Sequence, residues 1–270
     1  MFARAGTLTD VEPLTLSEGW GVLHLFFAVD RSAADADSKA SKRVLDAVRS
    51  LEADGHQALC FAVLGHKADV GVMALGPDLA RLQAFQQELA ATPLRLVDSF
   101  LSFTELSEYS SSEDDERARL ATEEHLVGPA AEAKLAVWRE RIEHYQEQRL
   151  HPRLPLRRAV CFYPMSKRRD AETNWYSLPF AERKALMAGH ARVGRGYAGR
   201  VLQLITGATG VDDWEWGVTL LADDPVALKD IVYEMRFDPV SAEYAEFGAF
   251  VTGLVGEPAD VFASVGLGRP

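Results

Sequence analysis

The sequence is poor in cysteine and lacks long apolar runs, and each shortage excludes a class of protein. Its two cysteines, Cys60 and Cys161, each lie in an apolar, strand-like run. Reduced cysteines in such runs behave as small buried hydrophobic residues, so we expect neither a disulfide framework nor a CxxC metal site. The longest apolar runs, residues 22–29 and 59–64, are far shorter than the roughly 20 residues of a membrane-spanning helix. We therefore expect no membrane span.

Positive charge is also scarce, since 29 Lys and Arg residues face 40 Asp and Glu residues for a net charge of -11. Such a chain repels polyanions, so nucleic acid is not an expected partner. Residues 1–7 are followed by acidic and polar residues rather than by an apolar segment. This pattern argues against a secretory signal and predicts a cytoplasmic location.

Several catalytic and metal-binding motifs are missing as well. The sequence has no GxSxG elbow, no P-loop and no GxGxxG after a strand, which removes the parts that hydrolases, nucleotide-binding and dinucleotide-binding proteins need. His125 lacks the HExxH spacing, and His144 and His151 flank a charged helix end without a third ligand nearby. We interpret His144 and His151 as surface histidines, and the spacing of His125 predicts no zinc site.

The sequence does contain a weak internal repeat. Residues 71–89 predict a strand, a Gly-Pro-Asp turn and a helix with an apolar stripe. Residues 217–235 predict the same order, with Asp224 as the N-cap and Pro225 at the first helical position. The alternative is a chance agreement between short patterns.

The flanks of the repeat give each half the order β-α-β-β-α-β of a ferredoxin-like unit. We therefore predict an α+β fold in which two ferredoxin-like halves form a dimeric α+β barrel within one chain. The flanking strands are predicted at residues 21–30, 57–64, 100–106, 158–163, 200–206 and 247–254, and the flanking helices at 38–53 and 179–193.

Three regions follow from this division. The N-terminal ferredoxin-like half is predicted at residues 15–110, and the C-terminal half, which would bind the ligand, at 157–268. Residues 111–156 are predicted to connect them. The connector would begin with a solvated, mobile Ser- and acid-rich loop around residues 110–116 and continue with a charged helix at 130–149.

His190 is the first residue that could carry chemistry. It lies near the end of the predicted helix at 179–193, on the same stripe as Leu186, Met187 and Val193, and should face inward. A histidine in such a place is more often a core residue bonded to a backbone group. The functional alternative is a neutral imidazole that binds a metal, most naturally the iron of a cofactor.

The strand that opens the second half ends in a second candidate region. Residues 162–169 combine two aromatic residues, a thioether and three cations. They could form an amphipathic strand that runs into a basic loop. They could equally place the redox-capable phenol of Tyr163 beside a cluster that binds carboxylates. The residue pattern leaves both interpretations open.

Short motifs in a fixed order between residues 162 and 253 carry a resemblance to a known family. They are Tyr-Pro-Met-Ser-Lys (163–167), Asn-Trp-Tyr (174–176), His190, Arg-Gly-Tyr-Ala-Gly (195–199), Ile-Thr-Gly (205–207), Asp-Trp-Glu-Trp-Gly-Val-Thr-Leu (213–220) and Tyr-Glu-Met-Arg-Phe-Asp-Pro-Val-Ser (233–241). With them the chain resembles the chlorite-dismutase-like superfamily and, within it, the coproheme decarboxylases. The first half matches only through Leu-Ser-Glu-Gly-Trp (16–20) and its topology, and the connector does not match.

The resemblance implies roles for individual residues. His190 would be the proximal iron ligand and Tyr163 the tyrosine that becomes a radical, with Lys167 near a substrate propionate. Pocket or propionate-binding positions of the family are matched by Arg149, Met165, Trp175, Arg236 and Ser241.

Gln203 distinguishes two branches of the superfamily. Chlorite dismutases carry a distal arginine thirteen residues after the iron ligand, where this chain has Gln203. An amide donates a hydrogen bond but brings no fixed cation for an oxyanion. Together with Tyr163 and Lys167, this residue favours the decarboxylase branch.

The activity implied by that branch is the hydrogen-peroxide-dependent oxidative decarboxylation of two propionates of Fe-coproporphyrin III (coproheme) to vinyls, giving heme b. Coproheme would be both substrate and cofactor. The resemblance further implies a homopentamer and a transient contact with ferrochelatase. The alternatives are a chlorite dismutase or heme peroxidase, and a non-catalytic heme carrier or sensor.

Overall fold

The strands of the protein form one antiparallel sheet that closes on itself. The computed structural model describes residues 12–268, so the N-terminal residues interpreted above as lacking a secretory signal lie outside the described residues. The strands are β1 (Gly21–Val29), β2 (Gln57–Val63), β3 (Val70–Gly76), β4 (Leu94–Phe103), β5 (Ala159–Lys167), β6 (Val201–Gly207), β7 (Trp216–Ala222), β8 (Ala245–Phe247) and β9 (Val251–Val255). The helices are α1 (Arg31–Ala36), α2 (Ala40–Ala53), α3 (Leu79–Ala90), α4 (Glu113–Glu123), α5 (Gly128–Leu150), α6 (Phe180–Arg195), α7 (Pro225–Met235), α8 (Pro239–Tyr244) and α9 (Pro258–Ser264).

The strand order confirms the predicted fold class. The first half has the order β4-β1-β3-β2, and the second half has the corresponding order β9-β5-β7-β6, with β8 continuing the β9 edge along β5. Each is the ferredoxin-like arrangement. The β2–β9 pairing joins the halves along one seam, and the single Phe103–Gly207 pair of β4 and β6 joins them along the other. The fold is thus two ferredoxin-like halves that form one α+β barrel.

The local signals of the repeat are confirmed. Asp224 caps α7 by accepting a hydrogen bond from Val226 N–H, and Pro225 is the first helical residue. Asp78 caps α3 in the same way through Ala80 N–H. Both caps satisfy helical N–H groups that would otherwise lack a partner, which is why both helices start where the sequence indicates.

The interior of the barrel is apolar except for a few polar residues that connect the two halves. Phe26, Phe100 and Phe162 meet there. His24 of β1 stacks on Phe162 and bonds through Nε2 to Thr219 Oγ1 of β7 at 2.8 Å. Burial lowers the pKa of His24 to about 3, so its ring is neutral and packs as a core residue.

Helices cover the outer face of each half, and the last helix crosses from one half to the other. In the first half α2 and α3 bury their apolar stripes against the sheet. Phe262 of α9 is fully buried in that same core, although α9 follows the last strand of the second half. The predicted domain bounds remain a prediction, and this helix shows that the two halves share a core.

The connector differs from its prediction. The mobile loop predicted around residues 110–116 is wrong from residue 113 onward, because α4 begins there. Ser112 and Asp115 form a capping box, the first turn is acidic, and Leu120 is fully buried. The predicted charged helix is present as α5. Local capping and packing between the two helices therefore order a segment whose composition suggested a loop.

Two predicted closing strands have other bounds. β4 starts at Leu94 and ends at Phe103, earlier than the predicted 100–106, and the predicted strand at 247–254 is interrupted between β8 and β9. At the interruption Gly248 N–H donates to Pro164 C=O at 2.8 Å, which bends the chain along β5. Among residues 12–268, no helix is both long and apolar enough to cross a membrane.

A test of the seam uses Gly253, which lies beside Phe61. A Cβ on Gly253 would overlap the Phe61 ring and lie 2.7 Å from Ala62 C=O, so Gly253→Ala should lower the free energy of unfolding by roughly 1–3 kcal/mol. In a Phe61→Leu background the same substitution should cost less, because the smaller side chain leaves room. Urea denaturation of the native protein, the two single variants and the double variant gives the four unfolding free energies. An equal loss from Gly253→Ala in both backgrounds would show that the Phe61 ring does not fill this space.

Candidate functional site

The outer face of the second-half sheet gathers most of the candidate residues. Side chains alternate along a strand, so Tyr163, Met165 and Lys167 of β5 lie on one face. Tyr163 is paired with Val218 of β7, which is in turn paired with Ile205 of β6. Tyr163 and Val218 belong to the apolar core on this outer face, and Met165 and Ile205 pack against it. Lys167 lies at the end of β5, outside that core. This surface is called the site face below.

Helix α6 lies over the site face without burying any of its residues. Its predicted stripe, which includes Leu186, Met187, His190 and Val193, is only half-buried. By contrast, α2 in the first half buries seven residues against its sheet. The predicted stripe with His190 is therefore present, but it is only half-buried. A flat ligand between helix and sheet would cover the remainder.

The partner of His190 is a carboxylate rather than the backbone group expected of a core histidine. His190 Nδ1 lies 2.8 Å from Asp238 Oδ2, and the Asp238 side chain is 7% exposed. The bond to Asp238 raises the pKa of His190, but burial lowers it by more. The net effect favours the neutral ring. A carboxylate only accepts, so the neutral ring carries its proton on Nδ1 and leaves the Nε2 lone pair for a metal.

Lys167 is a buried cation without a carboxylate partner. It is 7% exposed, and its ammonium lies 4.6 Å from the centre of the Trp175 ring. Among residues 12–268 no carboxylate oxygen lies within the 4.0 Å of an ion pair with it. Burial lowers its pKa to about 8, although Asp238 and Glu215 attract it from a distance. An unpaired buried cation is costly and is a strong feature of an anion-binding site.

Tyr163 lies in an aromatic cluster on the site face. Its ring stacks on Phe250 with 4.4 Å between centroids and is tilted against Phe247 at 5.8 Å. Arg236 lies over the Phe247 ring at 4.0 Å. Burial raises the pKa of the phenol, so Tyr163 keeps its proton at neutral pH. The cluster therefore holds a neutral phenol in a dry setting, with a cation nearby.

Arg149 reaches the same region from the last turn of α5. Its Nη2 donates to Glu105 C=O at 3.2 Å and to Ile205 C=O at 3.4 Å. Its Nε is buried and has no hydrogen-bond partner. A buried donor without a partner costs free energy unless a ligand supplies the acceptor. The connector thus contributes a cation beside β6.

The remaining predicted site residues have less distinctive surroundings. Trp175, 2% exposed, lies in a turn of 3₁₀ helix at Trp175–Ser177 and packs edge-on against Tyr244 and Tyr109. Gln203 is half-buried, with Nε2 near the backbone of Gly194 on α6. Ser241, 7% exposed, is tied through its backbone N–H to Asp238 C=O. The structure thus connects Ser241 to the partner of His190.

Sequence reasoning missed Asp238, Phe250 and Glu215. Asp238 and Glu215 stand inside quoted motifs, but neither received a role, since spacing cannot show that residues 48 apart, such as His190 and Asp238, are bonded. Phe250 lies in the break between β8 and β9, which the strand pattern hid. The only sequence signal for these residues was their presence in or beside the motif-rich segment.

The arrangement fits a planar, multiply anionic ligand that brings its own metal. His190 of α6 presents Nε2, Lys167 of β5 an ammonium without an ion pair, and Arg149 of α5 a buried Nε without a hydrogen-bond partner. No cluster of three or more His, Cys, Asp or Glu side chains that could hold a bare metal ion occurs in the part of the chain that the structure describes. A metalloporphyrin with carboxylate side chains would supply a metal for the imidazole and acceptors for the two cations.

Lys167→Met tests whether the buried charge of Lys167 destabilises the ligand-free protein. The unfolded lysine, with the ordinary pKa of 10.5, binds its proton more tightly than the folded one at about 8, so below pH 8 the buried charge destabilises the fold. The variant should gain on the order of 3 kcal/mol at pH 7 in the ligand-free protein. That gain should shrink as the pH rises from 8 to 10.5, because the folded lysine loses its charge.

Urea denaturation at several pH values measures this difference. Lys39→Met, at an exposed position, is the matched control and should change the unfolding free energy little at any pH. If Lys167→Met is no more stable than the native protein at pH 7, the buried charge of Lys167 does not destabilise the fold.

Comparison with known proteins agrees with this geometry. A family model described as chlorite dismutase matches residues 37–256. The coproheme decarboxylase of Staphylococcus carnosus is 40% identical over 254 residues, which are 88% of this chain and 92% of that protein. A solved structure described as a novel heme-binding protein from Thermus thermophilus has 38% identity and a TM-score of 0.75, covering 94% of this chain and 98% of that one.

A third relative, a protein of Natronomonas pharaonis named as a candidate heme-binding protein, is 39% identical over 263 residues. The match covers 93% of this chain but only 41% of that relative, so this chain spans less than half of its length. The family model alone covers most of the chain, and the barrel agrees with it. The chain belongs to the chlorite dismutase family.

Proposed function

We propose that the protein catalyses the hydrogen-peroxide-dependent oxidative decarboxylation of two propionates of coproheme, giving heme b. The observation that carries the proposal is the placement of a neutral phenol and an unpaired ammonium four residues apart on one strand, beside the helix that presents His190. The relative named coproheme decarboxylase, which matches over nearly its whole length, supports this choice.

The reaction balances without a further reductant or oxidant. Each propionate, with one hydrogen peroxide and one proton, gives one vinyl group, one CO2 and two waters. The side chain loses a hydrogen from its β-carbon and its carboxylate, and peroxide takes up the two electrons. Bound coproheme supplies the iron at which peroxide is reduced, and the protein supplies the positioning described next.

His190 would hold the iron through Nε2. Asp238 accepts the Nδ1 proton, which fixes the tautomer and the ring orientation and strengthens the imidazole as a donor. The half-buried surface of α6 around His190 would cover one face of the porphyrin. These residues bind and orient the substrate, and they exclude water from its centre.

Tyr163 would transfer the hydrogen. As a buried, neutral phenol it can give up a proton and an electron together and then recover both as a hydrogen atom from the propionate β-carbon. Phe247 and Phe250 hold the ring and keep water from the oxidised phenol. Met165 would line the pocket between Tyr163 and Lys167 on the same face of β5.

The cations would compensate the charge of the tetra-acid. Lys167 would pair with one propionate, and Arg149 and Arg236 with others, with Ser241 and Trp175 completing the pocket. Local cations decide binding at contact distance even in a chain with net charge -11, because distant charges are screened. Gln203, an amide without fixed charge, would face the peroxide side and favours decarboxylation over the chlorite dismutase or general heme peroxidase reaction.

A non-catalytic heme carrier or sensor is the second candidate, since two of the relatives are named only for heme binding. With the decarboxylase function we also propose a homopentameric assembly, a cytoplasmic location and a transient contact with ferrochelatase, which would supply the iron porphyrin. The carrier and the enzyme differ in the porphyrin that is present after hydrogen peroxide is added: unchanged coproheme for a carrier, heme b for the enzyme.

Mass spectrometry of the porphyrin separates these functions. Coproheme loaded anaerobically and titrated with hydrogen peroxide should lose two carboxyl groups in succession. Tyr163→Phe should still bind coproheme but form no heme b, because it lacks the transferable phenolic hydrogen, whereas Tyr145→Phe on the exposed face of α5 should behave as the native protein. Unchanged coproheme with the native protein would favour the carrier, and full turnover by Tyr163→Phe would exclude the phenol.

His190→Ala tests the iron ligand. The variant should bind coproheme more weakly and should lose the iron–imidazole band in the resonance Raman spectrum of the reduced complex, since no other imidazole would replace it. His144→Ala, at an exposed position of α5, is the matched control. An unchanged band in His190→Ala would assign the ligand to another residue.

A further inference from the structure

Glu215 is a buried carboxylate that the proposed chemistry does not use. It is 5% exposed and immediately precedes β7, at the end of the turn from β6. Its backbone N–H donates to Met165 C=O at 3.1 Å, and its own C=O accepts from Ala208 N–H at 2.7 Å. These two backbone hydrogen bonds fix the position of Glu215 independently of its side chain.

The side chain of Glu215 supplies an acceptor that the sheet lacks. β7 starts at Trp216, opposite Met165, so no strand of that edge pairs with Lys167. Glu215 Oε2 accepts the Lys167 backbone N–H at 2.7 Å and fills this gap. A buried N–H without an acceptor would be costly, and a charged acceptor makes a strong bond. The carboxylate thus fixes the strand end from which the Lys167 side chain departs.

The same carboxylate holds the segment that carries Trp175. Arg169 Nε lies 3.6 Å from Glu215 Oε1. Burial, with the nearby Glu215 carboxylate as a second cause, raises the pKa of the Tyr176 phenol. Arg169 forms a β-bridge with Asn174, and Trp175 N–H donates to Arg168 C=O at 3.0 Å. Both the backbone of Lys167 and the indole beneath its ammonium therefore depend on one buried charge.

The Glu215 carboxylate contacts the main chain of Lys167 and not its ammonium. Oε2 accepts the Lys167 backbone N–H, and Oε1 lies 3.6 Å from Arg169 Nε. The ammonium lies against the Trp175 ring, with no carboxylate of residues 12–268 within ion-pair distance.

We propose that Glu215 is the positioning residue that holds Lys167 on the face of Trp175 and keeps its ammonium unpaired for a carboxylate of the porphyrin. The identity of that carboxylate rests on the proposed function. The positioning itself does not, because it is a property of the ligand-free chain and can be measured there.

The test measures the ring-current shift of the Lys167 Cε protons by NMR in the ligand-free protein. The native protein should show these protons shifted upfield by the Trp175 ring. Glu215→Gln should remove most of the shift, because an uncharged amide with one acceptor oxygen cannot serve both the Lys167 backbone N–H and Arg169. Asp213→Asn, the loss of one charge at an exposed position of the same turn, is the matched control and should retain it. An upfield shift that persists in folded Glu215→Gln would overturn the proposal.

Arg169→Gln covers the case in which Glu215→Gln does not fold. The Arg169 side chain is 65% exposed, so the protein should tolerate the substitution, and the upfield shift should fall in part because the ion pair that links Glu215 to the segment of Trp175 is lost. An unchanged shift in Arg169→Gln would mean that this ion pair does not hold the indole, and would overturn the positioning role of Glu215.

Coproheme titrations then extend the result to the loaded protein. Glu215→Gln should raise the dissociation constant about tenfold, the equivalent of one charge-assisted contact, while Asp213→Asn should leave it unchanged. If the native protein does not bind coproheme while the ring-current shift still depends on Glu215, the proposed function fails and the positioning role stands. Equal affinities of Glu215→Gln and the native protein would overturn the link to the porphyrin carboxylate.

Discussion

The closure of two four-stranded sheets into one barrel is the constraint on which the rest of the structure depends. Closure buries one face of every barrel strand among the interior phenylalanines, so any ligand has to bind on an outer face. In the first half, helices seal that face with a dense apolar core. In the second half, α6 leaves its stripe half-covered, and most of the candidate residues lie on the sheet face beneath it. The same topology thus seals the outer face of one half and leaves the candidate site on the outer face of the other.

The candidate site lowers the stability of the ligand-free protein. Lys167 is a buried charge without an ion-pair partner, and Arg149 has a buried donor without an acceptor. Each lowers the stability of the ligand-free chain, and a polyanionic ligand would relieve both costs on binding. This is the usual pattern when a protein keeps groups for function rather than for stability. The apolar cores on the inner face and around α2 and α3 offset the cost elsewhere.

The sequence allowed the prediction of features that depend on neighbours along the chain. The Asp224–Pro225 helix start, the stripe of α6 and the order of strands and helices in each half all have signals within one or two turns. Features set by distant contacts could not be predicted. The His190–Asp238 bond, the approach of Arg149 to Ile205 and the capped helix α4, whose stability comes partly from ion pairs with α5, require the assembled fold. The roles of the matched residues came from a resemblance, and the structure adds their contacts to it.

The crossing of α9 has a consequence for how the chain is made. Phe262 and Val261 complete the core of the first half, against α2 and β2, although in the chain they follow the strands of both halves. During translation the first half would emerge with this part of its core uncovered and would stay so until residue 267, which also joins that core, left the ribosome. The two halves, each with a complete ferredoxin-like strand order, are therefore tied into one cooperative unit by α9. A nascent chain in which α9 has not yet been made would expose an apolar surface of the first half, away from the candidate site, so the synthesis of α9 matters for the folding of that half.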